Sequence, residues 1–477
     1  MLHVPPFIAT IIFVVGIVGL FWLDRDPEAR PSKALWIPVV WLLIAGSRPV
    51  SLWLNAAPTL TSADQYNIEA NPINVVVFSI LMVAGFIVLF QRGRQVGPIL
   101  RANWPILVFF AYCALSTVWS DYPGTAFRHW IRSVGDLVMV LIILTESKPV
   151  AALKRLFART AFLLVPLSVL FIKYYPALGR LVSNSWDLMY IGVTQQKNSL
   201  GVVCLVLGLG FLWQFLQHYQ AKGEPQRGRH LLAQGTILAM VVYLLWRSNS
   251  VTSSSCFVLA GSLIWVTART RPGRMPMKVH LLVAAVVGLP LIALFLDPSG
   301  QAVESLGRNS TLTGRTEIWH QVLSMVQNPV LGTGFESFWL GARIQAMWEA
   351  NPNLMLNEAH NGYIEVYLNL GWCGITLLAL AILTGYGNVV AAFRQDRDFG
   401  RLKLALFCAV LVCNLTTAQF RMMTPSWIFF LLAIMAVPAP AAPEGPHGLG
   451  INHPENFAER ESAFHHAFTG GLHKGTI

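Results

Sequence analysis

The sequence predicts an all-α polytopic membrane protein with twelve to thirteen transmembrane helices and one large external loop containing short helices. Three observations predict it. The 477-residue chain is 55% hydrophobic and only 12% charged, with a mean hydropathy of +0.54, whereas soluble globular chains carry about 25% charged residues. Apolar runs of about 17–25 residues, the length that crosses a bilayer, recur throughout. The positive charges alternate from loop to loop as they do in membrane proteins.

The runs fall near residues 6–23, 34–54, 72–90, 104–120, 133–146, 156–175, 199–217, 231–247, 251–268, 278–296, 363–389, 403–420 and 426–438. The second, fifth and last are short or interrupted. With the N-terminus outside, the odd-numbered turns between runs lie in the cytoplasm and hold most of the 34 lysines and arginines. Examples are Arg92, Arg94 and Arg101, Lys154, Arg155 and Arg159, and Arg394, Arg397 and Arg401. The formal charge of +11 is thereby explained by topology, and no nucleic-acid partner is expected. The first run lacks a basic leader and a small-residue cleavage site, so it reads as a retained helix. Residues 1–438 read as one transmembrane domain. Residues 439–477, rich in Pro, Gly and His, read as a disordered cytoplasmic tail. The five histidines of that tail lack ligand spacing. The six cysteines lie in or beside apolar runs and show no CxxC, so they read as buried hydrophobes. No metal site and no cofactor is expected.

The longest external loop covers residues 297–361. Within it, "TLTGRTEIWHQVLSMVQNP" reads as a helix capped at Thr313 or Gly314 and ended by Asn328-Pro329. Arg315, Ile318, Trp319, Val322, Met325 and Val326 share one face of that helix. Arg315 thus turns toward the protein or the membrane. Snorkelling beside Trp319 and binding of an anion are both open readings at this point. At the end of the loop, His360 precedes a long apolar run. On a continuous helix, Tyr363, Tyr367, Gly371 and Gly374 would share the face of His360. Glycines so spaced allow close helix approach and would aim His360 inward; an ordinary polar helix cap is the competing reading.

Further cations break the positive-inside trend. Lys197 and Asn198 sit before an apolar helix, Arg247 stands at the outer turn "RSNSVTSSS", and Arg128 and Arg132 precede Asp136. An intramembrane Asp is a functional candidate, and Arg132, four residues earlier, is its candidate partner. Arginine forks suit phosphate. One account of cations on that face is an anionic ligand; a lipid-linked pyrophosphate would place its anion at headgroup level and its apolar tail between helices.

Three stretches together resemble the O-antigen ligase and Wzy-type polymerase superfamily. They are "GRTEIW" (314–319) followed by "NPVLGTGFESFW" (328–339), "HNGYIEVYLNLGWCG" (360–374), which fits H-N-x9-G-x-x-G, and "QQKNSLG" (195–201). The last, with "LSTVWSDYPGTAFRHWIRSVGD" (115–136), looks like the exopolysaccharide-polymerase branch. Gln196 departs from the family's usual histidine, and Arg247 replaces a Ser-Arg pair only loosely.

The resemblance implies a glycosyltransferase of the bacterial inner membrane. It would polymerise undecaprenyl-pyrophosphate-linked repeat units into exopolysaccharide or O-antigen at the periplasmic face. Ligation of the lipid-linked glycan to lipid A-core is the alternative, and a lipid-linked oligosaccharide flippase is a third. His360 would activate the acceptor and Arg315 would hold the donor pyrophosphate, with Lys197, Asn198, Arg247, Asn361, Arg128 and Arg132 binding substrate. Gly371 and Gly374 would be structural. The implied partners are a lipid-linked oligosaccharide donor, a glycan acceptor, membrane lipids, and chain-length regulators or export proteins.

Overall fold

Proline sets many of the helix boundaries. A residue with a fixed φ and no N–H fits the first turn of a helix, where the N–H has no intrahelical acceptor. Pro6, Pro72, Pro105, Pro123, Pro149 and Pro425 occupy that place here. The computed structural model describes residues 4–25, 31–55, 71–182, 188–223, 225–269, 277–296, 313–350 and 356–438. The tail expected from residue 439 lies outside the described residues, as do 297–312 of the external loop.

The helices of ten or more residues are, in order, α1 (Pro6–Leu23), α2 (Trp36–Ala45), α3 (Pro72–Gln91), α4 (Gly93–Ala102), α5 (Trp104–Ser116), α6 (Pro123–Leu144), α7 (Pro149–Tyr174) and α8 (Lys197–Gln220). There follow α9 (Arg227–Ser248), α10 (Val251–Ala268), α11 (Met277–Leu296), α12 (Thr313–Ser324), α13 (Gly341–Ala350), α14 (Gly362–Gln395), α15 (Arg397–Cys413) and α16 (Pro425–Ile434). One small antiparallel hairpin, β1 (Arg180–Val182) with β2 (Leu188–Tyr190), pairs Leu181 with Met189. The protein is an all-α polytopic membrane protein.

The thirteen apolar runs do not all become full spans. Among the described residues, seven helices are long and apolar enough to cross a membrane, or eight if the pair α4–α5, bent by 88°, is one span. The shortfall has local causes. The second run stops at Ala45, and Gly46 and Pro49 separate it from a single turn, Val50–Trp53. α6 carries Arg128, Arg132 and Asp136 within its first fourteen residues. The run expected over 403–420 gives a helix that ends at Cys413, and the last run gives only ten residues of helix. Both short helices border the same polar loop, residues 414–424.

α7 and α8 run through the centre and are buried on nearly all sides, whereas α1 and α3 leave most of their apolar surface exposed. That is the distribution expected when lipid is the solvent for peripheral helices. α8 packs on α9 and α10, α15 on α10, α14 and α16, and α5 on α14. All six cysteines are free thiols, five of them fully buried. Arg48 ties the hairpin segment to the bundle through its guanidinium, which donates to the carbonyls of Leu178, Gly192 and Thr194.

The helix after His360 is not continuous. Gly371 has φ 62° and ψ −163°, a conformation that breaks α14 into two. The loop 328–334 threads into the break. Trp372 and Cys373 donate to the carbonyls of Pro329 and Val330, and Thr333 and Gly334 donate to those of Leu368 and Asn369. A Cβ on Gly371 would lie 2.3 Å from the Val330 oxygen. One on Gly374 would lie 2.2 Å from the Leu370 Cβ of the same helix. The expected interhelical docking face through Gly371 and Gly374 is therefore replaced by a helix break. His360 lies before the helix, with φ 52°, and takes its direction from the preceding loop rather than from helical phase.

Gly371→Ala is expected to lower the thermal midpoint sharply, since its backbone conformation alone costs about 1–3 kcal/mol for a residue with a side chain. Gly387→Ala, in the same helix with open space around it, is expected to be neutral or to stabilise by up to about 1 kcal/mol. Equal midpoints for the two purified variants would remove the break from its structural role.

Candidate functional site

Two loops meet through short polar side chains. Asn361 caps α14: its Oδ1 accepts the N–H groups of Tyr363 and Ile364, and its Nδ2 donates to the Leu415 carbonyl at 3.2 Å. The neighbouring Gly362 donates its N–H to the Asn414 carbonyl at 2.8 Å. A Cβ at position 362 would fall 1.8 Å from Asn414 Oδ1, so only glycine permits this approach. That Oδ1 accepts the amides of Gln419 and Phe420 and so shapes the loop that carries Arg421. Asp136 fixes the far side of the same loop by accepting the Met423 amide at 2.8 Å, while its other oxygen takes the Trp41 indole N–H at 2.8 Å.

A charged cluster results. Glu358 Oε1 lies 2.6 Å from His360 Nδ1, and Glu358 Oε2 lies 3.6 Å from Arg421 Nη1. Nδ1 lies against the carboxylate outside regular hydrogen-bond geometry. Arg421 Nε lies 3.3 Å from Glu336 Oε2, so one guanidinium joins two carboxylates. The Glu358 side chain is only 15% exposed. Burial pushes its pKa up, but the charge and hydrogen bonding of His360, then the charges of Arg421 and Arg315, outweigh that effect and hold it below its ordinary value of 4.5. Burial lowers the pKa of Arg315 itself, and the charge of Glu358 opposes the shift. One turn into α14, Glu365 is fully buried; it accepts the Trp339 indole N–H at 3.0 Å and the Ala359 amide.

Glu358 and Arg421 open onto a cavity of about 250 Å³. Arg132, Gln195, Gln196, Ser199 and Gln419 add polar atoms to its wall, and Phe78, Val202, Val203 and Met422 add apolar ones. A pocket with convergent charged groups and one apolar side can hold an anion joined to an apolar chain.

The structure places the expected residues unequally. The Arg315 face of α12 is confirmed: Ile318 and Val322 are buried with Phe338, Met347, Leu356, Ala359 and Leu368, and the Trp319 indole donates to the Ala359 carbonyl at 2.8 Å. His360 contacts Glu358, and the charge of Arg315 acts on the same carboxylate. Arg132 lines the cavity with its guanidinium 5.7 Å from the Phe78 ring. The expected Arg132–Asp136 pair gives way to Trp41 and Met423 as partners of the carboxylate, because the side chain points into the bundle, where those two donors lie. Lys197 and Asn198 open α8 directly beside the cavity-lining Gln195, Gln196 and Ser199. Arg128 is exposed and bonds to Thr125. Arg247 stacks 3.7 Å from the Tyr190 ring of the hairpin and does not line the cavity. Asn361, expected to bind substrate, is taken up in capping α14 and holding the 415 carbonyl.

Glu336, Glu358 and Arg421 escape the sequence reading. Glu358 and Glu336 sit in loops with no periodicity to orient them, and Arg421 follows an apolar run as a single outer cation. One signal was available: Glu358 stands two residues before His360, the spacing at which a turn in the chain can bring two side chains together.

A polytopic helical bundle with a loop-built charged site at one end of its central helices is the class that this architecture defines. Residues 234–379 match the family model for the O-antigen ligase. The match takes in Arg315, Glu336, Glu358, His360 and Glu365; Arg132, Gln196 and Arg421 lie outside it. The exopolysaccharide production protein ExoQ of Rhizobium meliloti is 25% identical over 322 residues, 65% of this chain and 71% of that one. A protein of Rickettsia conorii described as a "putative polysaccharide ligase" is 22% identical over 359 residues, 71% of this chain and 81% of that one. Family and relatives together support a role in polysaccharide biosynthesis.

Glu358 supplies a test in pH. A carboxylate with a lowered folded-state pKa contributes stability that is complete above the unfolded value and is lost as pH falls through the folded one. The wild-type thermal midpoint is therefore expected to fall on acidification below about pH 4.5, and more steeply than that of Glu358→Gln. Identical acid limbs in the two proteins would show that the ion pair adds no stability.

Proposed function

We propose that this protein is a glycosyltransferase of the bacterial inner membrane that polymerises undecaprenyl-pyrophosphate-linked repeat units into exopolysaccharide or O-antigen. It acts at the periplasmic face and has a cytoplasmic C-terminus. The observation that carries the reading is the Glu358–His360 pair (2.6 Å), with Arg421 on the other carboxylate oxygen, where Glu358 and Arg421 line a cavity of mixed polar and apolar wall.

The chemistry asks for a proton acceptor and for stabilisation of a leaving pyrophosphate. The acceptor hydroxyl oxygen attacks the anomeric carbon, the bond from that carbon to the pyrophosphate oxygen breaks, and its electron pair leaves with the pyrophosphate. His360 takes the hydroxyl proton. Glu358 on Nδ1 favours the tautomer with its proton there, which leaves Nε2 as the base. Arg315, Arg421 and Arg132 stabilise the charge that develops on the leaving group. Lys197 and Asn198 orient the donor from the start of α8, and the apolar wall takes the first part of its lipid chain. No nucleotide sugar enters this scheme. Export proteins or chain-length regulators would receive the product.

A ligase reading is favoured by one finding, the match to the O-antigen ligase family model. It uses the same donor and base, with lipid A-core as the acceptor.

Purified protein given only lipid-linked repeat units in detergent is expected to lengthen them and release undecaprenyl pyrophosphate. His360→Ala is expected to lower the rate by about 10²–10⁴-fold, and Arg315→Ala or Arg421→Ala by about 10²–10³-fold, with unchanged thermal midpoints or lipid binding as a check on folding. Growth that appears only after lipid A-core is added assigns the ligase. Wild-type turnover in both His360→Ala and Arg315→Ala would sink the mechanism.

A further inference from the structure

One buried polar group has no part in the proposed glycan transfer. Glu365 lies one turn into α14 and is only 3% exposed. A carboxyl group removed from water is costly unless donors meet it. Two N–H groups do so. The Trp339 indole N–H lies 3.0 Å from each of its oxygens, and the Ala359 amide donates to Oε1.

An ordinary helix cap does not account for this arrangement. An acidic side chain in the first turn commonly reaches back to the N–H of the capping residue. Here Asn361 already caps α14 with its own side chain, and Glu365 reaches past both Asn361 and His360 to Ala359. Ala359 is fully buried, and its carbonyl is also taken: the Trp319 indole on α12 donates to it at 2.8 Å. The Ala359 N–H belongs to the peptide unit shared with Glu358, and its carbonyl to the unit shared with His360. Each unit is planar, so the two are related only by the φ and ψ of Ala359. Holding both units therefore fixes the directions in which Glu358 and His360 leave the chain. His360 needs such a hold, because its φ of 52° is sparsely populated by residues with a side chain. The geometry so held is the 2.6 Å approach of His360 Nδ1 to Glu358 Oε1.

We infer that Glu365 and Trp319 are positioning residues for glycan transfer: they clamp the two backbone groups of Ala359 and thereby set His360 against Glu358. The inference rests on the glycosyltransferase reading. Trp339 completes the clamp by holding Glu365 from the loop 328–339. Neither Glu365 nor Trp319 lines the cavity beside Glu358, so their loss acts through His360 and leaves the donor contacts in place.

The test compares full-length Glu365→Gln, Glu365→Leu and Trp319→Phe in detergent. Glutamine keeps an oxygen where Oε1 accepts both N–H groups, and leucine removes it. Phenylalanine keeps a ring on the buried face of α12 and removes the indole N–H. With lipid-linked repeat units as substrate, kcat is expected to fall about 10–100-fold in Glu365→Leu, the scale of a misplacement of about 1 Å. In Trp319→Phe it is expected to fall about tenfold. KM is expected to stay unchanged in both, and Glu365→Gln is expected to recover most of the rate. Trp319→Phe breaks the other half of the clamp and serves where Glu365→Leu fails to fold. Amide hydrogen exchange read by mass spectrometry is independent of turnover. The peptide spanning residues 356–361 is expected to exchange faster in Glu365→Leu than in wild type, and at the wild-type rate in Glu365→Gln. Wild-type kcat in both Glu365→Leu and Trp319→Phe, a change confined to KM, or unchanged exchange in Glu365→Leu would overturn the inference. A rate that Glu365→Gln fails to recover would overturn it as well, since the carboxylate charge itself would then be required. Wild-type turnover in His360→Ala would sink the glycosyltransferase mechanism, while the exchange rates would still judge the clamp, so the two failures are distinguishable.

Discussion

The largely buried carboxylate of Glu358 is the constraint around which the site is built. An ionised group removed from water costs several kcal/mol unless cations and hydrogen bonds meet it. The groups that meet it come from three places in the chain: Arg315 on α12, His360 beside Glu358 itself, and Arg421 on the loop between α15 and α16. Satisfying one carboxylate therefore requires the external helix and the 414–424 loop to converge on the start of α14. Arg421 also reaches Glu336, which draws in the loop 328–339. Three residues of this neighbourhood, Glu336, His360 and Met423, have positive φ, a conformation that costs about 1–3 kcal/mol each for residues other than glycine. The hydrogen bonds of Asn361, Asn414 and Asp136 hold those segments in place and offset that cost.

The break at Gly371 serves the same convergence. A straight helix would leave no free backbone groups for an incoming loop. The break frees the carbonyls of Leu368 and Asn369 and the amides of Trp372 and Cys373, and the loop 328–334 takes up all four. Asn369 adds its side chain, which accepts the amides of Ser337 and Phe338. Backbone pairing thus fixes the height of Glu336 relative to Glu365 and His360 without using any charged side chain. The polar side chains are left for one another and for the cavity.

Local patterns in the sequence carried much of this. Apolar run length gave the helices, the 3.6-residue period gave the inward face of Arg315, and His360-Asn361 marked the start of the site helix. Two features had no such signature. Gly371 and Gly374 read as a helix-docking surface, whereas the break at Gly371 depends on a loop forty residues earlier that hydrogen-bonds into the gap. Glu358 and Arg421 are single charges in aperiodic segments, and contacts distant in sequence, such as Gly362–Asn414 and Asn361–Leu415, bring them together. Asp136 shows the same limit, because its partners come from α2 and from the loop before α16, well beyond its own helix.

The balance of charge around the cavity also bears on turnover. On the proposed reading, Arg315 and Arg421 without counter-charge would hold the donor pyrophosphate too firmly for repeated release. Glu336 and Glu358 each contact Arg421, and the charge of Glu358 also acts on Arg315. On the proposed reading, the donor meets arginines that are already paired, so binding in the ground state is moderated. As the glycosidic bond breaks, negative charge on the leaving group grows, and the same arginines gain more from it than from the intact donor. Protonation of His360 in that step places a full positive charge against Glu358, which draws the carboxylate toward the imidazole and away from the arginines. The arginines are then more available to the leaving group at the moment its charge is greatest. In the proposed mechanism, a carboxylate shared between the base and the anion-binding cations would thereby couple proton transfer to departure of the pyrophosphate.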